Sequence, residues 1–503
     1  MRSASLIVDP AFRIGAVDPR LYGSFVEHLG RCVYQGIFEP GHPTADENGF
    51  RQDVLELVRG LDVPIIRYPG GNFVSAYNWE DGIGPVDERP TRIDLAWRSI
   101  ETNHVGIDEF QRWAAAANAE TMMAVNLGTR GIDEARAVVE YCNHPSGTAW
   151  SDRRRSNGAT DPYGIKVWCL GNEMDGPWQI GHKTALEYGR LAAEAGKAMR
   201  LVDPGIELVI SGSSNSRMPT FGTWERTALT EAYDTVDHIS MHSYYQQHGD
   251  DRDSFLAAAV DMDQFIDAIV STADHVRAVT RHAKRLTIAF DEWNVWYQSR
   301  FPGEENLPIA EAPPLLEDVY SVTDAVVVGN LLISLLRHAD RVKIGCQAQL
   351  VNVIAPIMTA PGGPAWQQTI YHPYALTSRY GRGTVLRVAA QSPTHETSAY
   401  GEVPLLDAVA VLGDDDRGLA LFAVNRDQHE EMTLDIDLRS LPHLIAGEHV
   451  AIADADPDAV NDQQNPERVT PRRFGHPKVD GGRLQVVLPP LSWNMIRLAG
   501  ANL

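Results

Sequence analysis

Between about residues 20 and 380 the chain repeats one rhythm eight times: a short apolar run ends in polar, glycine or acidic residues, and a longer stretch of helical period follows. The runs are Leu21–Glu27, Val63–Pro69, Thr121–Leu127, Lys166–Glu173, Glu207–Ser211, His238–Tyr244, Arg285–Glu292 and Arg341–Val351. Between the sixth and seventh, Met262, Ile266, Ile269, Ala273 and Val276 recur at spacings of four and three, the apolar stripe of one helix. Further helices are predicted over Phe110–Ala119, Ile132–Cys142 and Ala185–Val202. Eight strand–helix repeats predict an α/β chain folded as a closed parallel (β/α)8, or TIM, barrel. An open doubly wound sheet is the structural rival, and its nucleotide-binding version is weakened because no G-x-G-x-x-G follows the first run.

After about residue 382 the texture changes. Thr384–Ala390, Leu405–Leu412, Leu419–Asn425, Met432–Asp437, Glu448–Ala453, Arg483–Leu488 and Ser492–Leu498 read as short strands separated by Asp, Gly, Pro and Asn. Their spacing predicts an accessory all-β sandwich, jelly-roll-like. Ser5–Val8 and Phe12–Ile14 also read as strands and are expected to cross over and join it. The expected division is therefore a catalytic barrel over 16–382 and a sandwich over 383–503, joined by N-terminal strands from 1–15. The stretch Asp454–Arg472, rich in Asp, Pro, Asn and Gln, reads as a long surface loop.

Charge narrows the class of partner. A net charge of −23, from 67 acidic and 44 basic residues, repels nucleic acid and anionic membranes and is compatible with a neutral ligand. The four cysteines show no C-x-x-C pair, so reduced, half-buried thiols are expected. No h-region precedes the first Asp and Pro, and no run approaches the ~18 apolar residues that span a bilayer, so a cytoplasmic location is expected. The 17 histidines include no H-x-H or H-E-x-x-H grouping, which disfavours a barrel metallohydrolase.

In such a barrel the chemistry sits where strands meet the loops that follow them. The runs end in Glu27-His28, Arg67 with Gly70-Gly71-Asn72, Asn126, Asn172-Glu173, Ser211, His242 with Tyr244, Asp291-Glu292 and Gln349. One strand-end glutamate means little, because any barrel carries several. Two carboxylates facing one another across the mouth, with amides, an Arg and aromatics converging, suit sugar hydrolysis. A separation of about 5–5.5 Å accompanies retention of configuration, and ~6.5–9.5 Å inversion. Asn172 could hydrogen-bond a sugar 2-hydroxyl or merely cap its own loop. Trp293, Trp296 and Tyr297 could wall a nucleophile or merely shield the barrel top. Because side chains alternate along a strand, only one of Asp291 and Glu292 should enter the cavity, and Glu292 is chosen. Arg67 could pair with a buried acid such as Glu27, and Gly70-Gly71 could be no more than a tight turn.

Trp168–Glu173 and Phe290–Asn294 resemble the acid/base and nucleophile motifs of clan A retaining glycosidases. The chain more narrowly resembles the α-L-arabinofuranosidases of glycoside hydrolase family 51 along nearly its whole length. The likeness includes Gly23–Gly30, Arg67–Phe73, Gly171–Trp178, Met241–Tyr245 and Gln349–Asn352. It implies Glu173 as general acid/base and Glu292 as nucleophile. It places Glu27, Arg67, Asn72, Asn172, Tyr244 and Gln349 around a furanose ring, Trp97 and Trp296 along the pocket or its entrance, and His242 as a supporting partner near the nucleophile. It also implies no catalytic metal or other cofactor, arabinofuranosyl oligosaccharides as substrates, and a homo-oligomer, often a hexamer. The expected reaction is double displacement: Glu292 attacks the anomeric carbon while a protonated Glu173 delivers its proton to the leaving oxygen, then serves as base for water. The rivals are another clan A activity, an endo-β-glucanase or xylosidase, and a sugar-binding protein that kept the fold without catalysis.

Overall fold

The computed structural model describes residues 2–414 and 418–500. Eight parallel strands close a barrel in sequence order: β1 (Gly23–Phe25), β2 (Ile65–Tyr68), β3 (Glu120–Val125), β4 (Val167–Leu170), β5 (Glu207–Ile210), β6 (His238–Tyr245), β7 (Thr287–Val295) and β8 (Val342–Gln347). All eight predicted runs contribute a strand. Every residue of β2 and β4 is buried, which is why these runs read as continuous hydrophobic segments rather than alternating ones. Two strands are irregular. The register of β6 against β7 shifts between Ser240 and His242, and that of β7 against β8 shifts between Phe290 and Trp293. These shifts fall at the residues singled out for chemistry, as bulges near active sites do.

The predicted helices are present at Ile107–Ala116, Ile132–Asn143, Ala185–Val202 and Ala259–Thr280. Ala185–Val202 starts on a reciprocal cap: Thr184 Oγ1 accepts from the Glu187 amide, and Glu187 Oε2 accepts from the Thr184 amide at 3.0 Å. Helix Val322–Arg337 differs from the others because all of Val322–Leu336 is buried. It lies between the barrel and the sandwich, and so has no solvent face to carry polar residues. Gly329 allows the approach. A Cβ there would lie 2.1 Å from the Trp493 ring of the sandwich.

The second unit is two sheets around their own core of residues such as Leu6, Leu421, Leu434 and Ile496. One sheet runs Ala389–Gln391, Arg2–Ile7, Met432–Asp437, Arg483–Leu488. The other runs Arg13–Ala16, Thr384–Leu386, Leu406–Leu412, Gly418–Asn425, Ser492–Gly500, Leu444–Ile452, Arg472–Gly475. The N-terminal segment thus enters both sheets. The strand expected over Thr384–Ala390 is two, because the chain leaves one sheet after Leu386 and enters the other at Ala389. A hairpin, Thr394–Thr397 with Gly401–Pro404, was not predicted; its four-residue strands are too polar to show a hydrophobic alternation. Residues 1 and 501–503, at the ends of the expected ranges, lie outside the described residues.

Candidate active site

The carboxyl ends of the barrel strands open into a cavity of about 660 Å³ lined by Glu27, Asn72, Trp97, Glu173, Tyr244, Glu292, Trp296 and Gln349, among others. Glu173 stands three residues beyond β4, just after the turn residue Gly171 (φ +84°), and has φ +44°. That left-handed backbone costs a non-glycine residue on the order of 1–2 kcal/mol and aims its side chain into the cavity rather than along the strand. The Trp178 indole donates to Glu173 Oε2 at 2.8 Å. His242 Nδ1 lies 2.9 Å from Glu173 Oε1 and 3.5 Å from Glu292 Oε2. An oxygen of each glutamate and His242 Nδ1 all fall within 4.8 Å of one another.

Glu292 is held from two sides. Tyr244 donates to its Oε2 at 2.8 Å, and Arg67 Nη1 donates to its Oε1 at 2.6 Å. Arg67 Nη2 donates to Asn172 Oδ1 at 2.6 Å, while its Nε lies 3.1 Å from Asp291 Oδ2. Each nitrogen of the fork therefore has its own partner. Asp291 is wholly buried and does not line the cavity. It accepts from Ser240 Oγ at 2.5 Å and lies 3.4 Å from His242 Nε2. The alternation argument thus separates the two acids correctly, but it misses what Asp291 does: it orients Arg67 and His242 from below.

The electrostatics follow from this packing. Burial alone would push the His242 imidazole down, but Glu292, Asp291 and Glu173 reverse that and lift it to about 10. Burial likewise pushes Asp291 up, yet Arg67, His242 and Ser240 hold it below the usual carboxylate range. For Glu292 burial wins and raises it, with His242 and Arg67 pulling the other way. Two cations thus face Asp291 and Glu292, and the buried cluster balances when both acids are ionised. Glu27 lies apart from it. Burial pushes its carboxyl up to about 8, although Phe73 N and Trp97 Nε1 each donate to Oε1 at 2.9 Å. Gln349 and Glu27 bond reciprocally, Nε2 to Oε2 at 3.0 Å and Glu27 N to Gln349 Oε1 at 3.2 Å. Gly71 leaves room for this carboxylate, since a Cβ there would lie 2.7 Å from Glu27 Oε2. Among the described residues, Glu173, His242 and Glu292 come closest to a metal-binding trio. A protonated imidazole offers only donors, so His242 would have to lose its proton to serve as a metal ligand.

Not every predicted residue reaches the cavity. Arg67 and Asn172 are 1% exposed and are not among the residues lining the cavity; Arg67 donates to Glu292, and Asn172 accepts from Arg67. Arg67 pairs with Asp291 and Glu292, not with Glu27. Asn72 Oδ1 accepts from Asn172 and Gln179, so its carbonyl is occupied. His242 sits between the two glutamates, near Glu292 but nearer still to Glu173. Asn126 caps its own loop, accepting from the Gly128 and Thr129 amides. Trp296 meets Tyr244 edge-on with ring centres 5.1 Å apart, and Phe301 packs against Trp296 and Trp97. Sequence reasoning gave no role to Trp178 or Ser240. Ser240 had a readable signal, two residues before His242 on one strand face.

Comparison with known proteins decides the family. Residues 57–267 match the model of the alpha-L-arabinofuranosidase 1 domain, and residues 291–492 match that of the alpha-L-arabinofuranosidase C-terminal domain. The intracellular exo-alpha-(1->5)-L-arabinofuranosidase of Streptomyces lividans is 59% identical over 99% of this chain and 76% of its own length. The chain belongs to the α-L-arabinofuranosidases of glycoside hydrolase family 51. The exo-alpha-(1->6)-L-arabinofuranosidase of Bifidobacterium longum is 50% identical over 99% of this chain and 98% of its own. A solved family 51 alpha-L-arabinofuranosidase from B. longum superposes with a TM-score of 0.95 at 48% identity, covering 99% of this chain and all of the other. The second family model begins at Asp291, inside β7, so the matched segment includes part of the barrel as well as the sandwich.

Proposed function

We propose that the protein is an exo-acting, retaining α-L-arabinofuranosidase that releases terminal arabinofuranose from arabino-oligosaccharides by double displacement. The observation that carries the reading is the approach of Glu173 and Glu292, whose nearest oxygens lie within 4.8 Å of one another. That gap belongs with the short separations of retaining pairs, about 5–5.5 Å, and not with the ~6.5–9.5 Å of inverting pairs. Arg67 and Tyr244 fix Glu292 with an oxygen turned to the anomeric carbon, and the adjacent cations favour its ionised form. Glu173, steadied by Trp178 and His242, protonates the leaving oxygen and then takes a proton from water. Glu27, Asn72, Trp97, Tyr244, Trp296 and Gln349 surround the furanose; Arg67, Asn172 and His242 hold the catalytic pair in place.

The substrates are α-(1→5)-linked oligosaccharides met inside the cell, a reading supported by the names of relatives at 51–59% identity. The working form is a homo-oligomer, a hexamer on the family resemblance. NMR of the first sugar released tests the stereochemistry: the α-anomer is expected, and initial release of the β-anomer overturns the mechanism. A Glu173→Ala variant should hydrolyse an activated aryl arabinofuranoside far better than arabinobiose and should be accelerated by azide. Neither response would remove Glu173 from its role.

A further inference from the structure

The cavity is much larger than one pentose, and its second half is not made by the barrel alone. The unpredicted hairpin of the sandwich reaches the barrel mouth, and its tip, Ala399 and Tyr400, lines the cavity. The loop after β6 fastens it there. Ser398 Oγ donates to Asp251, the Ala399 amide donates to Ser254 Oγ at 3.1 Å, and the Ser254 and Ser398 hydroxyls lie 3.2 Å apart. A loop tip tied by side chains to another unit is a fixed wall.

The groups that this wall faces are of a different kind from those on the floor. Asp261 is bonded by the Tyr245 hydroxyl at 3.2 Å, and the charges of Asp261 and Arg217 both act on the Tyr400 hydroxyl. The exposed Arg217 guanidinium makes no hydrogen bond or ion pair among the described residues. A planar cation, a carboxylate and two phenol rings around one open volume match a sugar, whose hydroxyls pair with forked donors and acceptors and whose C–H faces stack on aromatic rings.

We propose that this interdomain half of the cavity binds the leaving-group portion of the oligosaccharide, with Tyr400 and Arg217 as residues that set preference for chains over short aglycones. The inference rests on the exo-acting reading above, in which one terminal furanose fills the floor and the rest of the chain must leave through the mouth. It assigns the sandwich a share in substrate recognition.

Tyr400→Ala, Tyr400→Phe and Arg217→Ala are assayed on α-(1→5)-arabinotriose and on 4-nitrophenyl arabinofuranoside. With Tyr400→Ala, kcat/KM on the triose should fall roughly tenfold, mainly through KM, the scale of one lost aromatic contact. The aryl glycoside should change by less than about twofold, and Tyr400→Phe should retain most of the triose activity. Arg217→Ala, whose exposed side chain is free to be removed, should repeat the split if Tyr400→Ala fails to fold. Equal losses on both substrates, or no loss on the triose, overturn the proposal. A wild-type enzyme that releases arabinose from neither substrate overturns instead the reading on which it rests.

Discussion

At the floor of the cavity Arg67 is 1% exposed and has a separate partner for each nitrogen, whereas at the mouth Arg217 is exposed and its guanidinium has none among the described residues. The two arginines stand at opposite ends of one site, one beneath its floor and one at its mouth, and obey opposite rules. The floor is finished before substrate arrives: its polar atoms bond to one another, its charges balance, and it offers a few oriented oxygens. The mouth is unfinished, with groups that await partners. Pre-formed floors favour the transition state, where misplacement by a fraction of an ångström is costly, while an open mouth tolerates different continuations of the chain.

The largest effect expected is at the floor. Glu292→Gln keeps the shape and removes the nucleophile, so kcat on aryl arabinofuranosides should fall by roughly 10⁴-fold or more. A residual rate within tenfold of wild type would break the contrast, because another group would then be doing the chemistry. Next is Arg67→Lys, which keeps the charge but loses the three-way fork. A fall of about 10²-fold in kcat with little change in KM is expected, since the lost contacts position Glu292 and not the sugar. A rise in KM alone would return Arg67 to direct sugar binding.

Much of the floor was legible in the sequence because it hangs on strand ends, and strand ends follow from hydrophobic rhythm. Glu27, Glu173, Tyr244, Glu292 and Gln349 all came from that rule. The family resemblance put Arg67 and Asn172 around the furanose, whereas neither is among the residues that line the cavity, and Asp291, which meets Arg67 and His242, was given no role. A register shift at Phe290–Trp293 lets one arginine reach both acids, and no pattern of residue types announces a bulge. The mouth was illegible for a different reason. Ser398–Tyr400 lie about 140 residues from Asp251 and Ser254, and only the packing of the two units brings them together. The barrel and the sandwich themselves were both readable, down to the crossing of the N-terminal strands.

Smaller effects sharpen the account of the floor's charge. His242→Gln removes the cation that favours ionised Glu292, so the acid limb of kcat/KM should move to higher pH by about one unit. The sign for stability is independent of this. A histidine raised from 6.5 to about 10 contributes most below pH 6.5 and loses that contribution as pH rises towards 10. The melting-temperature gap between wild type and His242→Gln should therefore shrink across that window, and a gap that widens would refute the charged imidazole. Smallest is Glu27→Gln. A carboxyl raised to about 8 costs stability progressively as pH climbs from 4.5 to 8, because the unfolded chain releases its proton first. The variant escapes that cost, so its melting temperature should gain on wild type over the same range. Parallel curves would mean that Glu27 is already ionised.

The missing side chain at Gly329 has a bearing on how this protein can be engineered. With Trp493 seated against the bare backbone of a helix buried from Val322 to Leu336, the sandwich cannot be removed as though it were a detachable tag. A barrel truncated near residue 382 would display Val322–Leu336 to water and invite aggregation. Grafting a foreign accessory unit would require reproducing an indole-shaped imprint. Variation useful for new specificities is better sought in the hairpin tip, which can be exchanged without disturbing that seam.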